Sequence, residues 1–295
     1  MKTLFRLLSR PSASAVGLFF TAGMSISPSI SAAELKIVSW NLRHEGWTNE
    51  QDYDYDAEQI WYEYGTTSTS AAGCDVVFLQ EVMSTEAASS IAAWLTYYSG
   101  YTWSYSVSPL VGRTTYKESY AVLYRTDKVT LVSQGLWTDT GDKFEREPHI
   151  VKLREKTVNA DFTFINWHTV FGTTTDRKNE ITAMANVFST VQSRDTTDQD
   201  VILLGDNNMT ATHTIWTEAF SSMSPRIGYA VNDLTSLNSS GTYANAYDHF
   251  WFQPTYVTEY STSGRDYIPS TSWHVTNLSD HAPIFMTLKF TTDGD

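Results

Sequence analysis

Val201-Ile202-Leu203-Leu204-Gly205-Asp206-Asn207-Asn208 is a run of four apolar residues, a glycine and three polar side chains. An apolar run this short, bounded by turn-forming residues, suits a β-strand covered on both faces. Such a strand delivers Asp206 and Asn208 to the rim of a sheet. If it continues through Asn207, the two side chains point to the same side. The pattern recurs along the chain: 35–40 leads to Asn41, 76–79 to Gln80 and Glu81, and 162–167 to His168. Ser279-Asp280-His281 precedes a further run at 284–288, and 120–124, 150–153 and 250–252 are apolar as well. The delivered groups are carboxylates, amides and imidazoles. That inventory suits a hard divalent cation and acid–base chemistry on a phosphate.

Helical signals lie between some of these strands. Within 85–95, Ala87, Ile91 and Leu95 recur every four residues, with Ala88 and Trp94 beside them. Asp176 is placed to cap a helix carrying Ile181, Met184, Ala185 and Phe188. Segments 234–245 and 258–272 are rich in Ser, Thr and Gly and read as loops. Alternating strands and helices, without a repeat or a proline-rich linker, imply packed sheets with helices outside, in one domain over 34–295.

Residues 1–33 have the layout of a secretory signal peptide: Lys2, Arg6 and Arg10, a short apolar stretch at 15–24, then Ser31-Ala32-Ala33. A secreted or periplasmic protein is expected, and the apolar stretch is too short to span a bilayer. The formal net charge is −13, and every acidic residue follows the leader. So acidic a chain lacks the broad basic face of a polyanion binder, and phosphate binding would have to be local, at a cation-loaded site. Cys74 is the only cysteine, which rules out an intramolecular disulfide; beside the run 76–79 it reads as a small buried residue.

Eight pieces carry the polar set: WNLR (40–43), LQEV (79–82), GRTTYKESY (112–120), FEREP (144–148), INWH (165–168), LLGDNN (203–208), AYDHF (246–250) and SDHAP (279–283). In this order and spacing they resemble the endonuclease/exonuclease/phosphatase superfamily, and within it the deoxyribonuclease I family. The resemblance implies an α/β four-layer sandwich, two packed mixed β-sheets flanked by helices, with the site at one edge of the sheets. It implies Mg²⁺ or Mn²⁺ held chiefly by Glu81, helped by Asn41 and Asp280. It makes His168, oriented by Glu118, and His281, oriented by Asp248, an acid–base pair, with either one as the base. Asp206 would polarise water or bind metal, and Asn208 would donate to a phosphate oxygen. Arg113 and Tyr116 would meet the DNA minor groove, and Arg43 and Arg146 its phosphates.

Three features differ from that family or extend it. Met83 stands where the family has a second minor-groove arginine, which implies weaker duplex preference and tolerance of single strands or RNA. Segment 138–147 resembles a structural Ca²⁺ loop, with Asp139, Asp142, Glu147 and the Phe144 carbonyl as donors, but lacks the family's small disulfide. Histidines 44, 149, 213, 249 and 274 match no catalytic position and read as surface or structural. The implied function is a secreted, monomeric, metal-dependent endonuclease that cuts DNA with little sequence specificity and leaves 5′-phosphate and 3′-hydroxyl ends. The alternatives are a phosphodiesterase acting on a phospholipid or inositol phosphate, a genotoxin-type nuclease subunit, and a non-catalytic module. A phospholipid substrate would call for an apolar docking loop, and 258–272 is polar.

Overall fold

The computed structural model describes residues 33–47, 51–62, 73–196, 198–266, 268 and 272–290. The expected leader lies outside them except for Ala33, which already pairs with Phe290 at the start of the first strand.

One six-stranded sheet comprises β1 (Ala33–Glu45), β2 (Val76–Val82), β3 (Trp103–Val107), β4 (Ser119–Arg125), β13 (Tyr260–Arg265) and β14 (Ile284–Phe290), in the order β13-β14-β1-β2-β4-β3. The other comprises β5 (Val129–Leu136), β6 (His149–Glu155), β7 (Asp161–Asn166), β8 (Val201–Asp206), β9 (Gly228–Ala230) and β12 (Asp248–Phe252), in the order β5-β6-β7-β8-β12-β9. β10 (Ser236–Leu237) and β11 (Tyr243–Asn245) form a separate hairpin. The helices are α1 (Tyr53–Trp61), α2 (Thr85–Ser99), α3 (Thr174–Arg194), α4 (Thr214–Ala219) and α5 (Ser272–Asn277). Both sheets are mixed. Each holds one parallel pair, β1 with β2 and β7 with β8, and its other pairings are antiparallel.

The unbroken apolar strands are explained by three adjoining cores. Ile37, Val76, Phe78, Phe164, Ile202 and Leu204 point between the sheets, where the Phe78 and Phe164 rings lie 4.8 Å apart. The alternate residues Val38, Val77 and Leu79 face outward onto Ala87, Ile91 and Leu95 of α2. Ile165 and Leu203 face the other way, onto Ile181, Met184 and Phe188 of α3. Side chains alternate across a strand, so a strand sandwiched between a sheet and a helix must be apolar at every position. The result is the expected four-layer sandwich.

Several local expectations are corrected. Thr173, not Asp176, caps α3; Asp176 is the third helical residue and completes a capping box, its carboxylate accepting from the Thr173 N–H. Segment 258–272 contains strand β13, and 234–245 contains the β10–β11 hairpin. Their pairing to β14 and to each other supplies order that their polar composition did not signal. Cys74 is buried, as expected. Among the described residues, no helix is long and apolar enough to cross a membrane.

Candidate active site

The parallel strands of both sheets end at one edge, and their antiparallel neighbours begin there. Asn41 and Glu81 therefore come from the ends of β1 and β2, Asp206 from the end of β8, and His168 from just beyond β7. Glu118 immediately precedes β4, Asp248 begins β12, and His281 makes an isolated bridge to Ser236 before β14. Backbone strain concentrates here. Glu81 sits at φ 55° within a register shift between β2 and its neighbours, and Asn208 sits at φ 46°. A bulge of this kind re-aims a side chain out of the ladder. Gly205, at φ 126°, lets β8 approach closely, because a Cβ there would collide with the Trp167 carbonyl.

The two imidazoles have matching surroundings. His168 Nδ1 lies 2.9 Å from Glu118 Oε1, and His281 Nδ1 lies 2.7 Å from Asp248 Oδ2. Their Nε2 atoms converge on one oxygen, Asp206 Oδ2, at 3.6 and 3.5 Å. A carboxylate only accepts, so each Nδ1 carries the proton and each Nε2 is left to take or give one. Burial and Arg146 push the His168 pKa down, but Glu118 and Asp206 outweigh them and leave it raised. Burial also opposes the charged form of His281, yet Asp248 and Asp206 carry it well above the usual imidazole range. Burial raises Asp206, against the pull of His281. Asp248 is lowered: burial acts upward, but the charge and hydrogen bond of His281 prevail.

Glu81 is the least buried carboxylate of the cluster. Its burial acts upward, but His168, Asn41, His44 and Tyr116 together hold the carboxyl at about 2. Tyr116 donates its hydroxyl to Glu81 Oε2 at 2.8 Å, and His44 Nε2 lies 3.2 Å from the same oxygen. Asn41 Oδ1 accepts from the Arg43 N–H, which turns its amide nitrogen toward Glu81 Oε1 at 3.0 Å and Asp206 Oδ2 at 3.1 Å. Asn41 thus bridges two carboxylates and does not present an oxygen as the expected metal ligand. Among the described residues, two groups of three could hold a metal ion: Glu81 with Glu118 and His168, and Asp206 with Asp248 and His281. Asp280 lines the same cleft without belonging to either group.

The remaining expected residues divide. Asp206 and Asn208 both line the cleft, which has a volume of about 570 Å³. The strand stops at Asp206, however, and the Asn208 N–H folds back onto Asp206 Oδ1 at 2.8 Å. The two meet through a side-chain turn, not through strand alternation. Arg43 lines the cleft while donating to the Val275 carbonyl. Arg146 is buried and spent on the His168 and Thr169 carbonyls and the Glu118 carboxylate, so it anchors the histidine segment more than it reaches outward. Tyr116 lines the cleft and turns its hydroxyl to Glu81. Arg113 lies elsewhere. It pairs with Glu145 and Asp142 beside a separate depression of about 790 Å³, which no histidine lines.

In the proposed Ca²⁺ loop, Asp139 accepts from the backbone of Gly141, Lys143 and Phe144, and Asp142 pairs with Arg113. Phe144 is buried edge-on against Trp167, and Glu147 is half-buried. Asp139 and Asp142 are thus engaged within the protein.

Two site residues escaped sequence reasoning. His44 stacks on Trp47 at 4.3 Å and meets Tyr116 edge-on, forming an aromatic rim beside Glu81. Its position directly after the WNLR piece was the available signal. Arg177, in the first turn of α3, lines the cleft and donates to the Asn208 and Phe171 carbonyls, while its Nε has no partner among the described residues. Only the packing of α3 against the β8 rim brings it there.

Comparison with known proteins adds four findings. The profile of the Endonuclease/Exonuclease/phosphatase family matches residues 38–281. The chain is 28% identical over 295 residues to a deoxyribonuclease of Thioalkalivibrio sp. (strain K90mix), covering 95% of this chain and 78% of that protein. It is 36% identical over 141 residues to deoxyribonuclease-1-like 1 of Cricetulus griseus, a match that spans 46% of this chain and only 45% of that protein. Among solved structures, an endonuclease/exonuclease/phosphatase family protein of Bacteroides thetaiotaomicron superposes with a TM-score of 0.63 at 19% identity, covering 88% of this chain and 96% of that one.

Proposed function

The chain belongs to the endonuclease/exonuclease/phosphatase family, and from that premise we propose that it is a secreted, divalent-metal-dependent endonuclease that hydrolyses DNA phosphodiester bonds. The observation that carries this reading is the convergence of His168 and His281 on Asp206, each imidazole backed by its own carboxylate. Two proton-transfer groups facing one small space are what in-line displacement at phosphorus needs, one on the entering side and one on the leaving side. The names of the deoxyribonuclease relatives support DNA as the substrate.

The donor set fits a hard cation. Glu81 offers a carboxylate held ionised at a cleft that also contains Asp280, and Mg²⁺ takes one or two carboxylates and keeps its waters. When bound, such an ion supplies charge neutralisation at the phosphate. The protein's own groups do the rest. Arg43 and Arg177 bind the phosphate at the cleft wall. One imidazole takes the proton of the attacking water at its Nε2 while Glu118 or Asp248 steadies the cation that forms. The other gives its Nε2 proton to the leaving 3′-oxygen, so the products carry 5′-phosphate and 3′-hydroxyl ends.

Sequence preference should be weak. Arg113 is tied to acidic partners and Met83 offers no hydrogen bond to a base, so little in the site reads base edges. The half-open Trp47–His44 stack suits an unpaired base, which favours single strands as additional substrates. Supercoiled-plasmid nicking in Mg²⁺, with an EDTA arm and a His168→Ala control, tests the reading. Loss of nicking in both arms is the expected result. A clean, folded protein that leaves DNA intact would refute DNA as the substrate.

A further inference from the structure

We propose that Phe171 is a specificity-determining residue that stacks on a base of an unpaired strand, so that single-stranded or locally opened DNA is preferred over intact duplex. The inference rests on the nuclease reading above and deepens it. Phe171 lies three positions after His168, lines the same cleft and is 74% exposed. The other apolar or aromatic side chains on the cleft wall, Tyr116, Leu237 and Tyr247, are buried or half-buried. One exposed apolar side chain is ordinary on a protein surface, and what distinguishes this one is its support. The loop that carries it is pinned on both sides of the ring. The Thr169 N–H donates to the Asp206 carbonyl, and the Thr169 carbonyl accepts from Arg146 and Asn208. The Val170 N–H donates to Glu180, the Phe171 carbonyl accepts from Arg177, and the Thr173 N–H donates to Asp176. The backbone is held while the ring is left open, and a platform fixed beforehand loses little freedom on binding.

The surroundings match a nucleotide. The Arg177 guanidinium lies 5.5 Å from the centre of the Phe171 ring, which sets a phosphate-binding cation beside a stacking surface. A second stacking surface comes from the other sheet. At the end of β1, Arg43 and His44 take φ of 48° and 66°, and Trp47, 43% exposed, lies on the His44 ring with the planes 17° apart. Left-handed backbone at two successive non-glycine residues is costly and persists where the surrounding structure enforces it, commonly at functional sites. Phe171 follows β7 of the second sheet, so rings from both sheets border the cleft that holds Glu81, His168 and Asp206. In an intact duplex the base faces are stacked on one another, and only their edges are open in the grooves. A protein ring stacks only on a base that has left the helix, and it does so with little regard to sequence because every base has a flat face. An arginine on a phosphate does not distinguish the two forms of DNA; a stacking ring does.

The test measures, by fluorescence anisotropy, how a short labelled oligothymidylate and a short labelled duplex bind the His168→Ala protein, so that binding is read without cleavage. Adding Phe171→Ala should weaken single-strand binding about tenfold and duplex binding less than about twofold. Phe171→Trp should keep the single-strand affinity. Phe171→Leu, apolar but without a flat face, should lose it as the alanine variant does. The ring is exposed, so Tm should stay within about 2 °C in each variant, which separates lost stacking from lost folding. Unchanged single-strand binding in Phe171→Ala would overturn the inference. So would equal losses on the two DNAs, or a leucine variant as good as phenylalanine, which would make the ring an ordinary apolar contact. Plasmid nicking by the unaltered protein keeps the two readings apart. If that protein nicks DNA while Phe171→Ala shows no selective loss, the stacking role alone is refuted. If it neither binds nor cuts DNA, both readings are.

Discussion

Glu118 is fully buried, touches no solvent, and accepts from His168 while pairing with Arg146. Its work is to fix which nitrogen of His168 carries the proton. Glu118→Gln should therefore lower kcat about 10- to 100-fold and leave KM nearly unchanged. Steady-state cleavage of a labelled oligonucleotide measures both, and an unchanged kcat would remove Glu118 from the mechanism. Arg177→Ala should do the opposite, raising KM about tenfold with a smaller effect on kcat, since in the proposed mechanism the guanidinium binds phosphate and transfers no proton. The identity of these groups was legible unevenly. His168, Asp206 and His281 stand beside apolar runs, so the chain's own pattern marked them, whereas Glu118 and Asp248 were marked only by the family resemblance. The direction each polar group faces was not legible. Asn41 turns its nitrogen to the carboxylates, and Tyr116 turns inward to Glu81.

The strands carry two further expectations. His149 begins β6, is fully buried against Gln134, and burial alone lowers its pKa to about 4. A histidine with a depressed native pKa binds fewer protons folded than unfolded between about 4 and its unfolded value near 6.5. Its neutral form is thus fully compatible with folding above pH 6.5. As pH falls through that window, up to roughly 3 kcal/mol of stability is lost. His149→Gln should flatten the decline between pH 6.5 and 4 in urea unfolding, and an unaltered slope would show that His149 is not its source. In β8, Gly205→Ala should cost at least ~2 kcal/mol, because it adds both a disfavoured φ and a clash with Trp167. A circular-dichroism melt reads that loss directly. The buried strands were visible in the sequence because two-sided burial demands an unbroken apolar run. The edge strands β5, half-exposed and interrupted by Thr130, Ser133 and Gln134, and β13, polar and exposed, carry no unbroken apolar run and owe their place to pairing.

The sequence carries a net charge of −13, so the proposed attraction to DNA would be confined to the cleft, where Arg43 and Arg177 line the wall. Few phosphates can be neutralised. Binding of a short duplex to the His168→Ala protein should therefore show a shallow salt dependence, with a log–log slope of about −2 to −3. Fluorescence anisotropy across a salt series checks this, and a slope steeper than about −6 would point to a basic surface outside the cleft. The sequence by itself determined the layering and the chemical inventory, because hydrophobic periodicity and the residue that follows each apolar run are local properties of the chain. Only the tertiary structure decided which of those groups meet. Asn41 and Asp206 are 165 positions apart, and the Ser279 hydroxyl reaches the Asn41 carbonyl across 238. The first contact joins the two stacked sheets, and the second follows from the antiparallel pairing of β1 with β14. The same packing brought Arg177 into the cleft and drew Arg113 away to Glu145.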